Sequence, residues 1–387
     1  MSMLDKLLED VEVRWVILGD YTDYEQPTKY RVKSKEYNDA FETPVLTAGK
    51  SFILGYTDET GGIYKGSKKP VIIFDDFTTA NKWVDFDFKV KSSAMKMITS
   101  KDESKALLRY IFHWMNTLPS DLVDGDHKRQ WISNYANKKI PIPCPDNPEK
   151  SLKIQKEIVS ILDTFTELTT ELTTELTARK KQYSYFEEKL LFENNYKRVT
   201  LDKICNVNQG LQIPISKRKN ENGDNRYFYI TVQFLKGSND RYYIENPPHN
   251  SICEYDDILV TRTGSTGKII TGVNGCFHNN FFKINLTGNI NRRYVYYYLK
   301  SERTYRKILQ TASGGTVPDL PHNKFYKLEI PIPSLKEQQR IVNILDKFDT
   351  LTTSISEGLP KEIDLRKKQY EYYREKLLTF PKDNIEA

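Results

Sequence analysis

From Leu152 to about Phe192 the apolar positions fall at Ile158, Leu162, Phe165, Leu168, Leu172, Leu176, Tyr183, Phe186 and Leu190. Steps of three, four and seven mark one stripe along a helix. About 40 residues at about 1.5 Å each span roughly 60 Å. A helix that long with a narrow seam predicts one strand of a coiled coil, and the chain offers a partner, because Ile341, Leu345 and Phe348 repeat the spacing of Ile158, Leu162 and Phe165. The seam holds Thr-Glu-Leu-Thr three times, at 166–169, 170–173 and 174–177. Threonine is a mediocre helix former, so the packing of Leu168, Leu172 and Leu176 is expected to hold this stretch. A strict period of four overshoots 3.6, and the stripe drifts by about 40° per unit. The second helix is longer between its matched blocks and carries Gly358-Leu359-Pro360, which predicts a bend.

These helices belong to a duplication. Ile158-Val159-x-Ile161-Leu162-Asp163-x-Phe165 returns 183 residues later as Ile341-Val342-x-Ile344-Leu345-Asp346-x-Phe348. Arg179-Lys180-Lys181-Gln182-Tyr183 returns at 366–370, and Glu188-Lys189-Leu190-Leu191 at 375–378. Ile140-Pro141-Ile142-Pro143 returns at 330–333, and its alternating prolines force an extended entry to each helix. Fainter echoes pair Asp5-Lys6-Leu7-Leu8 with Glu188-Lys189-Leu190-Leu191, Leu18 with Leu201, and Arg109-Tyr110 with Arg293-Tyr294. The globular segments are therefore expected to be duplicated too, with widely diverged sequences.

The predicted fold class is α+β: two globular mixed α/β segments, 1–145 and 195–333, and two spacer helices, 150–193 and 335–380. The helices are expected to pair as a long antiparallel two-helix coiled coil, in a near-cyclic, pseudo-two-fold internal repeat with the termini close together.

Composition narrows the function. Hydrophobic residues make up 38% of the chain, and no apolar run of about 18 residues could span a bilayer. Four scattered cysteines without a CxxC pair fit a reducing cytoplasm, and five scattered histidines offer no metal-ligand spacing. The net charge of +6 is unevenly distributed. Residues 1–140 hold 21 basic and 21 acidic groups, whereas residues 195–330 hold 20 basic and 11 acidic, as expected of a segment that faces a polyanion.

Fragments that resemble catalytic motifs do not complete them. Thr263-Gly264-Ser265-Thr266-Gly267-Lys268 lacks phosphate-loop spacing and reads as a tight turn. Asn246-Pro247-Pro248-His249 lacks both the stacking aromatic and the glycine-rich cofactor loop of an amino-methyltransferase. Asp75-Asp76 lacks the further acidic residue and lysine of a nuclease, and reads as a turn or an acceptor for cytosine. What remains is a set of polar loops that carry groups suited to phosphate positioning and base-edge readout. In the first segment the candidate DNA-binding residues are Lys50, Ser51, Lys65, Asp76, Thr78, Thr79, Lys91 and Ser92. In the second they are Lys217, Arg218, Lys219, Arg226, Arg262, Thr263, Ser265, Thr266, Lys268 and Thr316. No catalytic or metal-ligating residue is expected.

With both repeats laid out, the whole chain resembles the specificity subunits of Type I restriction-modification systems. The resemblance rests on Ile330-Pro331-Ile332-Pro333-Ser334-Leu335-Lys336-Glu337-Gln338-Gln339-Arg340-Ile341, the Gly-Gly-Thr turn at Gly314, Asp257-Ile258-Leu259 and the twin helices. Copy one keeps the Glu-Gln of this helix start only as Ile154-Gln155. The stretches 43–50 and 74–79 also look like a target-recognition domain of that family. The resemblance implies that each globular domain reads one half of a bipartite, asymmetric double-stranded DNA target while the helices act as a ruler. It implies two adenine-methylating (M) subunits that bind S-adenosylmethionine, and restriction/translocase (R) subunits that use ATP and magnesium. The chain itself is then a non-catalytic cytoplasmic subunit without a cofactor. The alternative is a coiled-coil interaction scaffold without sequence-specific DNA recognition.

Overall fold

The computed structural model describes residues 7–9, 11–47, 51–119, 129–193, 195–312 and 318–380. The chain forms two compact units, residues 1–172 with 362–387, and residues 173–361.

Unit 1 contains β1 (Val13–Ile17), β2 (Thr22–Glu25), β3 (Thr43–Leu46), β4 (Ile53–Thr57), β5 (Val71–Asp75), β6 (Asn81–Val84), β7 (Lys89–Val90), β8 (Met95–Ser100) and β9 (Lys139–Pro143). Helix α1 (Leu108–Met115) follows β8, and helix α2 (Pro148–Phe192) starts beyond β9. One sheet has the order β2-β8-β5-β6, a second the order β4-β3-β7, and β1 pairs with β9. Every residue of Val71–Asp75 is buried, because both faces of this central strand are covered. Ile72 and Phe74 join the cluster of Tyr110, Trp114 and Trp131, while Val71 and Ile73 join Leu46, Val90 and Met97 on the other side.

Unit 2 carries β10 (Arg198–Thr200), β11 (Cys205–Gln209), β12 (Arg226–Ile230), β13 (Tyr243–Glu245), β14 (Ile252–Cys253), β15 (Ile258–Thr261), β16 (Ile269–Ile270), β17 (Gly275–Phe277), β18 (Phe281–Leu286) and β19 (Glu329–Pro331). Helices α3 (Arg292–Lys300) and α4 (Glu302–Thr311) follow β18, and α5 (Leu335–Thr353) follows β19. Its sheets have the orders β11-β18-β15-β16 and β13-β12-β17-β14, and β10 pairs with β19.

The two units share one plan. β2, β8, β5 and β6 correspond in order to β11, β18, β15 and β16. β3 pairs antiparallel with β4 and parallel with β7, as β12 does with β13 and β17. The duplication of the globular segments, faint in sequence, is explicit in topology.

The same polar contacts fasten each globular part to its helix. Tyr110 donates its hydroxyl to the Pro141 carbonyl at 2.8 Å, and Tyr294 donates to Pro331 at 2.9 Å. Arg109 Nε donates to Asp163 at 2.8 Å, and Arg293 Nε to Asp346 at 2.8 Å. Gln155 Oε1 accepts from the Leu107 amide at 2.9 Å, and Gln338 Oε1 from the Asn291 amide at 2.8 Å. Copy one thus lost the glutamate of its Glu-Gln pair but kept the glutamine in its role.

Two elements run through both units: α2, and α6 (Leu359–Leu378), which begins where unit 2 ends. In unit 1, Ile158 and Leu162 near the start of α2 share a cluster with Leu377 and Leu378 at the end of α6, and Phe165 stacks on Tyr373 at 5.1 Å. In unit 2, Leu190 and Leu191 at the end of α2 share a cluster with Ile341 and Leu345 of α5, and Phe186 stacks on Phe348 at 5.5 Å. Along the Thr-Glu-Leu-Thr array Leu172 and Leu176 are half-buried and Leu168 is 37% exposed, so the first leucine of the array packs least. Thr166, Thr169, Thr170 and Thr177 return their hydroxyls to carbonyls four residues back, which satisfies those donors within the helix.

The expected bend is a full break. α5 ends at Thr353, the Ser354 hydroxyl accepts from the Ser356 and Glu357 amides, and α6 starts with Pro360 in its first turn. A Cβ on Gly358 would collide with the Thr350 and Leu351 carbonyls. Among the described residues, no helix is long and apolar enough to cross a membrane.

Candidate nucleic-acid interface

The common plan brings together loops that lie far apart in sequence. The β5–β6 turn, which holds Asp76, Thr78 and Thr79, is the counterpart of the β15–β16 turn, which holds Arg262 to Lys268. The β7–β8 loop with Lys91 and Ser92 is the counterpart of the β17–β18 loop at His278–Asn280. Asp75 sits opposite Met95 and Thr261 opposite Phe281, so in each unit the turn and the loop lie side by side at one end of the first sheet.

In unit 1 the turn is held by Asp75. Its Oδ1 accepts from the Phe77 amide at 2.9 Å and its Oδ2 from the Thr78 hydroxyl at 2.7 Å. Thr79 is buried in the left-handed region with φ 60°, and its amide donates to the Asp75 carbonyl. Phe77 is left 40% exposed at the tip beside exposed Thr78. Asp76 points inward at 2% exposure, accepts from the Trp131 amide at 2.9 Å, and lies 3.7 Å from the Lys96 ammonium. Lys96 is 1% exposed, sits 4.9 Å from the Tyr24 ring, and donates to Gln26 Oε1 at 3.1 Å when that amide is oriented to satisfy its neighbours. The same oxygen accepts from Arg129 Nη1 at 2.8 Å.

The other candidates of unit 1 are spread over several loops. Exposed Lys91 lies 5.6 Å from the Tyr37 ring, and Ser92 Oγ accepts from the Ala94 amide. Lys65 pairs with Asp87 at 2.8 Å, and that contact holds the Asp87 carboxyl below its ordinary range. Ser51 is exposed on the β3–β4 loop, and Lys50 lies outside the described residues.

In unit 2 the turn is made by glycine. Gly264 and Gly267 have φ of 80° and 83°, and Thr261 Oγ1 donates to the Ser265 carbonyl at 2.6 Å. Arg262 forks onto Asp319 at 2.7 and 3.0 Å, which raises its pKa further, and Thr266 donates to the Pro318 carbonyl at 2.5 Å. Thr263 Oγ1 accepts from Asn280 Nδ2 at 2.5 Å, which ties the turn to the β17–β18 loop. Lys268 is exposed, and Thr316 lies outside the described residues.

A second group of candidates flanks this end. Arg218 donates twice to the Ile213 carbonyl, at 3.0 and 2.9 Å, and lies over the Tyr229 and Tyr242 rings. Lys217 and Lys219 on either side of it are exposed. Arg226 reaches Glu245 at 3.8 Å and the Glu221 carbonyl at 3.3 Å.

The candidates therefore divide. Thr78, Lys91, Lys217, Lys219 and Lys268 face solvent, whereas Asp76, Thr79, Arg218, Arg262 and Thr266 hold their loops together. Sequence reasoning missed Asp319, Gln26 and Gln209, and reached Lys96 only as the end of a polar loop. A signal existed for two of them, since Gln26 and Gln209 are 183 residues apart, the offset of the helix repeat. Among the described residues no group of three or more His, Cys, Asp or Glu is placed to hold a metal ion.

Residues 12–180 and 193–365 each match the Type I restriction modification DNA specificity domain. The chain is 52% identical over 408 residues to the Type I restriction enzyme EcoR124I/EcoR124II specificity subunit of Escherichia coli, covering 99% of this chain and 98% of that one. It is 31% identical over 401 residues to a putative type I restriction enzyme specificity subunit of Haemophilus influenzae, covering 98% of each. A crystal structure of a Type-I restriction-modification system S subunit from M. genitalium shares the fold at a TM-score of 0.64 and 17% identity, over 98% of this chain and 100% of that one. With two domain matches and relatives spanning its whole length, the chain belongs to the family of Type I restriction-modification DNA specificity subunits.

Proposed function

We propose that this chain reads a bipartite, asymmetric double-stranded DNA target, one half-site per globular part, and that it catalyses no reaction itself. The observation that carries this reading is the pair of equivalent sheet ends. One frame repeated twice presents two loop sets with different residues, Asp75–Thr79 with Lys91 in one and Arg262–Lys268 with Asn280 in the other. Two different readers on one frame suit a target with two different halves.

Candidate contacts follow from position on these loops, with Ser92, Thr263 and Ser265 half-buried and the others exposed. Lys65, Lys91, Lys217, Lys219 and Lys268 suit phosphates, and Ser51, Thr78, Ser92, Thr263 and Ser265 suit base edges or sugar oxygens. The 20 basic against 11 acidic groups of residues 195–330 favour the second reader as the main source of phosphate attraction. The paired helices act as an antiparallel coiled-coil ruler that fixes the spacing and helical phase of the half-sites. Two adenine-N6 methyltransferase subunits carrying S-adenosylmethionine dock on this frame, and restriction subunits using ATP and magnesium join them in the cytoplasm.

Footprinting the chain with its methyltransferase tests the reading. A protected pair of half-sites at one fixed gap is expected, and protection without a defined sequence would leave only a scaffold. Methylation by this chain alone would overturn the non-catalytic assignment.

A further inference from the structure

Next to the β15–β16 turn, a second pair of loops is locked together in a way that a merely solvated surface does not require. The segment after β11 runs Gly210-Leu211-Gln212-Ile213, and it crosses the β17–β18 loop at Leu211 and His278. A Cβ on Gly210 would collide with the His278 and Phe277 carbonyls, so only glycine permits this approach. The Tyr229 hydroxyl donates to the Leu211 carbonyl at 2.6 Å and accepts from the Ile213 amide at 3.0 Å. Arg218 holds the Ile213 carbonyl from the other side. Gln212 is thus an exposed side chain on backbone fixed at both of its neighbours.

Its amide is fixed as well. Asn279 Nδ2 donates to Gln212 Oε1 at 3.3 Å, and the Asn279 carbonyl accepts from Gln209 Nε2. That bond leaves two groups of the couple without a partner among the described residues, the Gln212 Nε2 donor and the Asn279 Oδ1 acceptor. One donor beside one acceptor, on two braced side chains, is a recognition surface with a definite code. In the major groove adenine presents an acceptor, N7, beside a donor, N6. Guanine presents two acceptors, thymine an acceptor and a methyl group, and cytosine a donor, so among single bases only adenine complements the couple, and a G·C pair offers such a combination only across its two bases. Exposed Lys217 and Lys219 on the same segment are suited to the flanking phosphates.

We propose that Gln212 and Asn279 together read one adenine in the second half-site, Gln212 Nε2 donating to N7 and Asn279 Oδ1 accepting from N6. This assignment rests on the DNA-reading function proposed above. The counterpart loop of the first reader carries Lys91 and Ser92, so this contact belongs to the second half-site alone.

The test is selection from a randomised duplex library with the full chain bound to its methyltransferase, followed by sequencing. The wild type should show one position in the second half-site where adenine is required. Gln212→Glu, which turns the donor into an acceptor at the same size, and Asn279→Ala should each lower discrimination there by about 10- to 100-fold. All first-half-site positions should stay unchanged, and unfolding midpoints of the same samples should match the wild type. A wild type that selects two half-sites while both variants change no position, or weaken every position equally, would make the amides loop braces only and overturn the assignment. A wild type that selects no bipartite sequence would instead overturn the DNA-reading function, and the adenine contact with it.

Discussion

The Tyr110 hydroxyl donates to the carbonyl oxygen of Pro141 over 2.8 Å, from the globular part of unit 1 to the strand that leads into α2. Its counterpart Tyr294 makes the same bond to Pro331. Both tyrosines are fully buried, so removing either hydroxyl leaves a buried carbonyl without its partner. Tyr110→Phe and Tyr294→Phe should each destabilise their unit by about 1–3 kcal/mol. Denaturant unfolding followed by tryptophan fluorescence should register the first directly, because Trp114 and Trp131 lie in the Tyr110 cluster. A midpoint unchanged in both variants would remove this bond from the forces that hold each globular part to the strand leading into its helix.

The two sockets differ at one titratable group. Where unit 2 places Tyr297 against Asp346, unit 1 places His113, fully buried, with Nε2 2.8 Å from Asp163 and Nδ1 3.2 Å from the Tyr370 hydroxyl. Burial pushes the His113 pKa below its ordinary 6.5; the Asp163 bond opposes this shift, and Arg109 and Arg374 add to it. A histidine depressed on folding favours the native state while neutral. Its contribution is therefore present above about pH 6.5 and is lost as the pH falls below that value. Unfolding midpoints measured between pH 5.5 and 8 should fall on the acid side, and His113→Tyr, which copies unit 2, should flatten that slope. His278 and His322 are shifted the same way by burial, so a residual slope should survive the substitution.

Asp76 lies at the turn that we propose reads DNA, yet it faces a buried ammonium. Asp76→Ala would leave Lys96, 1% exposed, without its carboxylate. The expected cost is about 3 kcal/mol or more, and Lys96→Met in the same chain should recover much of it. If the single variant unfolds like the wild type and only its DNA selectivity changes, Asp76 acts on the bases rather than on the turn.

Each Thr-Glu-Leu-Thr unit adds about 6 Å of helix, against about 3.4 Å for a base-pair step. Deleting residues 170–173 should shift the permitted gap between half-sites and leave both half-site sequences unaltered. Methylated sites mapped across a host genome would show this, and an unchanged gap would remove the ruler role from this stretch.

The parts of this architecture legible in the sequence are those where duplication preserved side chains. Ile158 and Leu162 repeat as Ile341 and Leu345 because each pair is buried in the hydrophobic cluster of its own unit. Arg109, Tyr110 and Gln155 repeat because each donates or accepts at a fixed place in the socket. The sheets were hidden for the opposite reason. Strand order is set by backbone pairing, and Val71–Asp75 and Ile258–Thr261 satisfy it with different apolar residues. The candidate site was legible only as a set of polar loops. Which side chains face inward depends on partners such as Lys96 for Asp76 and Asp319 for Arg262, and no local pattern announces them.

The division of the chain into units also orders events in time. Unit 2 is contiguous, residues 173–361, whereas the core of unit 1 takes Leu377, Leu378 and Phe380 from α6 and just beyond it. A ribosome adding about 5–20 residues per second needs roughly 10–40 s to travel from residue 172 to residue 362. During that interval Ile158 and Leu162 lack the cover of Leu377 and Leu378, while unit 2 can close around its own hydrophobic cluster. The unit begun first is thus the last to be finished, and a nascent chain stalled before α6 would present one completed unit and one open core.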